Sequence, residues 1–242
     1  MIGTLRDPGM QRAFEALAPG RARSRLLDVR DAEAVKVAVA DLGSIDVLVN
    51  NAGYGLVGAI EEVTLSQARD QLEVNFFGAL SMIQAVLPSM RQRRSGHILN
   101  ITSIGGLLAF PGLGLYHASK FALEGLGEAL AKELAPFDVR VTAIEPGAFR
   151  TDWAGRSMQH ATQLADYATT AGAFRSGITA SSGRQPGDPR KAAQAILDLV
   201  LSSHPPTRLL LGSDALGHAT EKLDSIRADI EAWAGVTRST DF

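Results

Sequence analysis

Short apolar runs alternate with longer helix-patterned segments along nearly all of this sequence, and that alternation leaves few architectures open. Residues 2–5, 25–27, 46–50, 97–101, 139–144 and 208–211 read as strands. The run Val47-Leu48-Val49 is continuously apolar, as in a strand buried on both faces. Helical patterns fill the intervals: 10–17 with Phe14 and Leu17 facing inward, 32–42 with Asp31 as N-cap, 66–90, 115–134, 189–201 opening on Pro189, and 215–233. Strands separated by helices of this length build parallel βαβ units with right-handed crossovers. The expected fold is therefore α/β: one doubly wound, Rossmann-like parallel sheet with helices on both faces. The segment 148–187 is long, polar and rich in Gly, Ser and Thr, and predicts a mobile lid more than a packed element.

Composition narrows the partners. The 242 residues suit one large domain, and a 45% hydrophobic content supplies a sizeable core. A formal charge of −2 gives no field to gather nucleic acid or an anionic membrane, and neither partner is expected. The basic clusters at 21–23 and 91–94 read as solvated turns and helix ends. No stretch is apolar enough to span a bilayer, and no signal peptide is evident. The absence of cysteine excludes disulfides and thiolate metal sites, fits a reducing cytoplasm, and no metal site is expected.

Ligands of open α/β sheets lie beyond the carboxyl ends of the strands. Tyr116 and Lys120 stand four residues apart on a predicted helix, one turn from each other on one face. Alone the spacing is weak, since chance supplies such a pair in roughly 6% of chains of this composition. Context strengthens it. Ser103 follows a strand thirteen residues earlier, Asn75 lies on the preceding helix, Asn50-Asn51-Ala52-Gly53 follows another strand end, and Pro146-Gly147 closes the next. Taken singly, Tyr116 is an ordinary amphipathic-helix residue, Lys120 a solvated one, Ser103 a turn former and Asn75 a surface amide. Jointly and in this order, those readings are the weaker ones.

This ordered set resembles the short-chain dehydrogenase/reductase family over essentially the whole chain. The resemblance implies hydride transfer between a nicotinamide cofactor and a ketone or secondary alcohol. Tyr116 would be the acid/base, Ser103 would hydrogen-bond the substrate oxygen, and Lys120 would hold the nicotinamide ribose. Asn75 would hold a water joining Lys120 to solvent. A free phenol titrates near about 10, and lowering it to about 7 takes roughly 4 kcal/mol, about what one ammonium some 4 Å away supplies at an effective dielectric of 20. Asp28 and Val29 would meet the adenine end, Asn50, Ala52 and Gly53 the adenosine ribose, and Pro146, Gly147 and Thr151 the nicotinamide. Arg6 follows the strand that carries an acidic residue in NAD-preferring relatives, so NADP(H) is favoured over NAD(H). The two long helices imply a homodimer or homotetramer, and the aromatics Phe149, Trp153, Tyr167 and Phe174 imply a bulky or apolar substrate.

One part of the family pattern is missing. Its first strand, first helix and TGxxxGxG turn, which grip the pyrophosphate, would precede Met1. The sequence Gly53-Tyr54-Gly55-Leu56-Val57-Gly58 matches GxGxxG, but too short a segment follows to form a dinucleotide helix. Either the true start lies upstream, the favoured account, or the chain is a truncated, silent paralogue that acts only as an assembly partner.

Overall fold

The computed structural model describes all 242 residues, Met1–Phe242. In chain order the strands are β1 (Ile2–Leu5), β2 (Arg23–Leu26), β3 (Val47–Asn50), β4 (Leu56–Val57), β5 (Gly96–Ile101), β6 (Val139–Pro146), β7 (Gln159–His160) and β8 (Arg208–Leu211). The helices are α1 (Gln11–Ala16), α2 (Ala32–Leu42), α3 (Leu65–Leu72), α4 (Gly78–Arg93), α5 (Gly114–Leu134), α6 (Ala173–Ser181), α7 (Pro189–Leu201) and α8 (Ser213–Arg238). Strands and helices alternate, and every strand pair is parallel, as the sequence predicts for an α/β chain.

The parallel strands do not form one sheet. β1 pairs with β2 alone, whereas β3-β5-β6-β8 make a separate four-stranded sheet, and no ladder joins β1 to β3. The two parts meet through side chains. Leu27, Val35 and Ala38 pack against Met82 and Ala85 of α4, and Val29 sits where Gly78 has no side chain. The main core lies between the four-stranded sheet and α2, α4 and α5, around Leu48, Ile83, Val86, Met90, Ile98 and Leu130. No helix is long and apolar enough to cross a membrane.

Local chemistry sets the element ends as expected in several places. Asp31 caps α2 by accepting from the Ala34 amide at 2.9 Å, and Pro189 starts α7 behind an Asp188 cap. Two expectations change. The long helix over 66–90 is interrupted by a π-helical turn at Glu73–Phe77, which carries Asn75 inward. Leu17 is exposed, since α1 is only six residues long and ends before it. As expected, the glycine-rich run after β3 opens no dinucleotide helix; it leads into β4, which pairs with β7.

The segment 148–187 is also more ordered than its composition suggests. It holds α6, and Arg175 of α6 reaches Glu62 at 2.8 Å with both side chains almost fully buried. The Glu62 carboxylate further accepts the Leu164 and Ala59 amides at 2.8 Å each. A run of Gly, Ser and Thr gives weak helix propensity, and here a tertiary ion pair overrides it.

Candidate active site

β5 and β6 end side by side, and the residues just beyond them face the N-terminal turns of α5. Ser103 follows β5, its Oγ accepting the Gly105 amide at 2.9 Å. Tyr116 and Lys120 project from α5 toward the same strand ends, and both are buried. The Lys120 Nζ donates to the Ile101 carbonyl at 2.8 Å and lies 5.8 Å from the Tyr116 ring centre. Ser103, Tyr116, Lys120, Gly53, Pro146, Gly147 and Thr151 all line one cavity of about 840 Å³. Thus the sequence-predicted acid/base set and the nicotinamide-side residues come together.

Asn75 sits behind this cavity, 1% exposed. Its Oδ1 accepts the Tyr54 amide, while its Nδ2 donates to the Tyr54 carbonyl and to Ser119 Oγ, all at 3.1 Å. It therefore clamps the turn after β3 to α5. A side chain at Gly53 would press 3.1 Å from Asn75 Oδ1 and 3.7 Å from Lys120 Nζ, so glycine keeps this turn close to the lysine.

The other predicted residues lie apart from the cavity. Asn50 donates to Asn100 Oδ1 at 2.9 Å and is buried, bracing β3 against β5. Ala52 is exposed beside it. Asp28 is engaged by Arg30, with a shortest contact of 2.6 Å, and hydrogen bonds from Arg30 hold its carboxyl below the usual range. Val29 is buried against α4. Arg6 is exposed after β1, near enough to Asp28 and Tyr54 for its charge to act on both.

The electrostatics differ from the expected acidified phenol. Among the chain's own groups, burial pushes the Tyr116 phenol up to about 12, with Ser103 pulling it back, and burial brings the Lys120 ammonium down to about 8. Desolvation disfavours charge on both groups, and the ammonium is turned to the Ile101 carbonyl.

Three pocket residues, Phe110, His117 and Asp214, were not singled out from the sequence. His117 accepts the Phe110 amide at Nε2 (2.9 Å), so its Nδ1 must carry the proton donated to the Gly105 carbonyl (2.8 Å). Burial, opposed by that carbonyl, pushes its pKa down, and the neutral ring pins the loop between Gly105 and Phe110. Trp153 packs 5.1 Å from the Tyr116 ring, and Phe110 stacks on Phe174 at 5.5 Å. Asp214, at the start of α8, accepts the Ala148 amide at 2.7 Å and leaves its other oxygen buried without a partner. Trp153 and Phe174 were among the aromatics marked in the sequence, whereas nothing local in the sequence marks His117 or Asp214.

Gly147 bears on that contact. A Cβ there would stand 2.4–2.6 Å from the Asp214 carboxylate. Gly147→Ala is therefore expected to displace Asp214 and release the Ala148 amide, at a cost of about 1–3 kcal/mol seen as a lower Tm. An unchanged melting temperature would show that the loop has room to spare.

Comparison with known proteins agrees with this geometry. Residues 10–162 match the short chain dehydrogenase family. The chain is 41% identical over 200 residues to a 3-ketodihydrosphingosine reductase of Bacteroides thetaiotaomicron, covering 80% of this chain and 74% of that one. The crystal structure of a short-chain dehydrogenase from Streptomyces avermitilis superposes with a TM-score of 0.92 at 44% identity, covering 99% of this chain and 88% of that one. The structure of ElxO with NADP bound superposes with a TM-score of 0.72 at 25% identity, covering 89% and 88%.

Proposed function

Because this chain belongs to the short-chain dehydrogenase/reductase family, we propose that it transfers a hydride between NADP(H) and a ketone or secondary alcohol, with Tyr116 as acid/base. The observation that carries this reading is that buried Tyr116 and Lys120 meet half-buried Ser103 at the ends of β5 and β6, on the wall of one large cavity. When bound, the nicotinamide supplies or accepts the hydride and, oxidised, adds a positive charge beside the phenol. The fit is supported by the close turn at Gly53 and the exposed Arg6.

The chain's own groups do the rest. Ser103 and Tyr116 hydrogen-bond the substrate oxygen, and the phenol gives or takes its proton. Lys120, held between the Ile101 carbonyl and the ribose side of the site, supplies the charge that the buried phenol lacks on its own. Thr151, Pro146 and Gly147 would border the nicotinamide, and Asp28, Val29, Asn50 and Ala52 would lie toward the adenosine. Phe110, Leu113, Trp153, Phe174 and Ile178 give the cavity an apolar wall, which supports a bulky, largely apolar substrate. Exposed Phe77 and Phe121, at the start of α4 and on α5, support pairing of two or four copies through these helices, and the lack of cysteine supports a cytoplasmic location.

Arg6 tests the cofactor. Charge-assisted hydrogen bonds contribute about 1.5–3 kcal/mol, so Arg6→Asp should shift preference from NADPH toward NADH by roughly 10- to 100-fold. Paired fluorescence titrations read this directly. An unchanged ratio would remove Arg6 from 2′-phosphate recognition.

A second reading rests on the break between β1 and β3. It makes the chain an assembly partner that binds no nucleotide. Titration of the purified chain with NADPH separates the two. Saturable binding supports the enzyme, and none at millimolar cofactor supports the partner.

A further inference from the structure

The stripe of α5 that carries Tyr116 and Lys120 continues at the same four-residue step to Glu124 and Glu128. Glu124 is 5% exposed and Glu145, the residue before Pro146, is 2% exposed. Both carboxylates touch one guanidinium nitrogen, Arg208 Nη1, at 2.8 and 2.7 Å. Glu124 Oε1 is buried and unpartnered. Two buried carboxylates on one nitrogen cannot both ionise cheaply, as like charges at this range disfavour each other.

The pair sits at the root of the site. Glu124 is one turn beyond Lys120, and Glu145 leads directly into Pro146-Gly147. Thr102, which precedes Ser103, donates to the Ile144 carbonyl beside Glu145. Gly106 packs so closely that a Cβ there would meet Glu124 Cγ at 2.8 Å and the Lys120 carbonyl at 3.3 Å.

We propose that Glu124 and Glu145 share one proton and, tied by Arg208, form a positioning pair that keeps Lys120 charged and inward-facing at alkaline pH. The groups facing Glu124 are Lys120 and Glu128 on α5, Thr102 after β5, Glu145 on β6 and Arg208 on β8. Burial first, then Glu145, push the Glu124 carboxyl up to about 7 against the pull of Thr102 and Arg208. Below that pH the pair carries one negative charge; above it, two. The second charge arises one turn from Lys120, where it opposes loss of the ammonium's proton. The link to Lys120 rests on the dehydrogenase reading; the shared proton does not.

The test therefore has two arms. A carboxyl whose folded-state pKa is raised stabilises the folded chain below its unfolded value near about 4.3, and that contribution is lost as pH rises through the folded value. The Tm of the wild-type chain should therefore fall more between pH 5 and 8 than that of Glu124→Gln. Glu145→Gln, which leaves Glu124 without its partner, should flatten the fall in the same way. Equal pH slopes in all three proteins overturn the shared proton. In the second arm, the alkaline limb of the kcat/KM profile should move down by about 0.5–1 pH in Glu124→Gln, a fall of roughly 3- to 10-fold at pH 9. An unmoved limb overturns the link to Lys120. A chain that binds no cofactor defeats the dehydrogenase reading, and with it the link, while the melting slopes still decide the shared proton.

Discussion

Tyr116→Phe is expected to lower kcat by about 10²–10⁴-fold, the range that a positioned acid/base contributes, while NADPH affinity stays within about twofold. The substitution removes one hydroxyl from a ring that keeps its contacts with Trp153, Leu113, Val57 and Met158, so folding should be nearly untouched. Single-turnover reduction of a model ketone, beside a fluorescence titration of cofactor, separates chemistry from binding. Turnover within a few-fold of wild type would require another proton donor. The pocket offers His117 as the nearest rival, but both of its ring nitrogens are occupied by the loop between Gly105 and Phe110.

The largest stability effect is expected at the buried pair of the lid. Arg175→Ala leaves the Glu62 carboxylate 2% exposed with only two backbone amides for partners. Removing one member of a buried ion pair costs about 3–5 kcal/mol, because the remaining charge stays desolvated. For a chain of this size that is a Tm lower by on the order of 10 °C. Lid order should suffer too, since α6 carries Phe174 and Ile178 into the cavity wall. A KM for an apolar ketone that rises well beyond any change in kcat would show the lid's part in binding. A melting temperature within 2 °C of wild type would mean that the pair contributes little.

Much of the architecture was legible because it rests on local pattern. The apolar run at β3, the Asp31 cap, Pro189 and the four-residue step from Tyr116 to Lys120 each state their structure within a few residues. What escaped depends on partners far along the chain. Arg175 meets Glu62 across 113 residues, and Asp214 meets Ala148 across 66. No periodicity announces such pairs, so α6 reads as loose chain until its anchor is seen. The phenol is a subtler case. Spacing places the ammonium one turn away, but only the fold shows where that ammonium points and how dry both groups are. Likewise α1, too short to cover Leu17, follows from the packing of Phe14 beneath Gly3 more than from its own pattern.

Since no backbone ladder crosses from β1 to β3, the first 44 residues are fastened to the remainder by side-chain packing, chiefly α2 and Val29 on α4, while the Asp46 carbonyl already belongs to the four-stranded body through the His97 amide. Such a piece can detach while the four-stranded body keeps every one of its inter-strand hydrogen bonds, making it a separate cooperative unit. On the proposed reading, Tyr116 and Lys120 would keep their places through that opening, whereas Arg6 and Asp28 would leave with the detached piece. On that reading, proton chemistry and dinucleotide capture would thus sit on parts joined by packing and not by a backbone ladder, and conditions that loosen the first quarter, Val39 of the main core included, would end cofactor binding while the four-stranded sheet still holds.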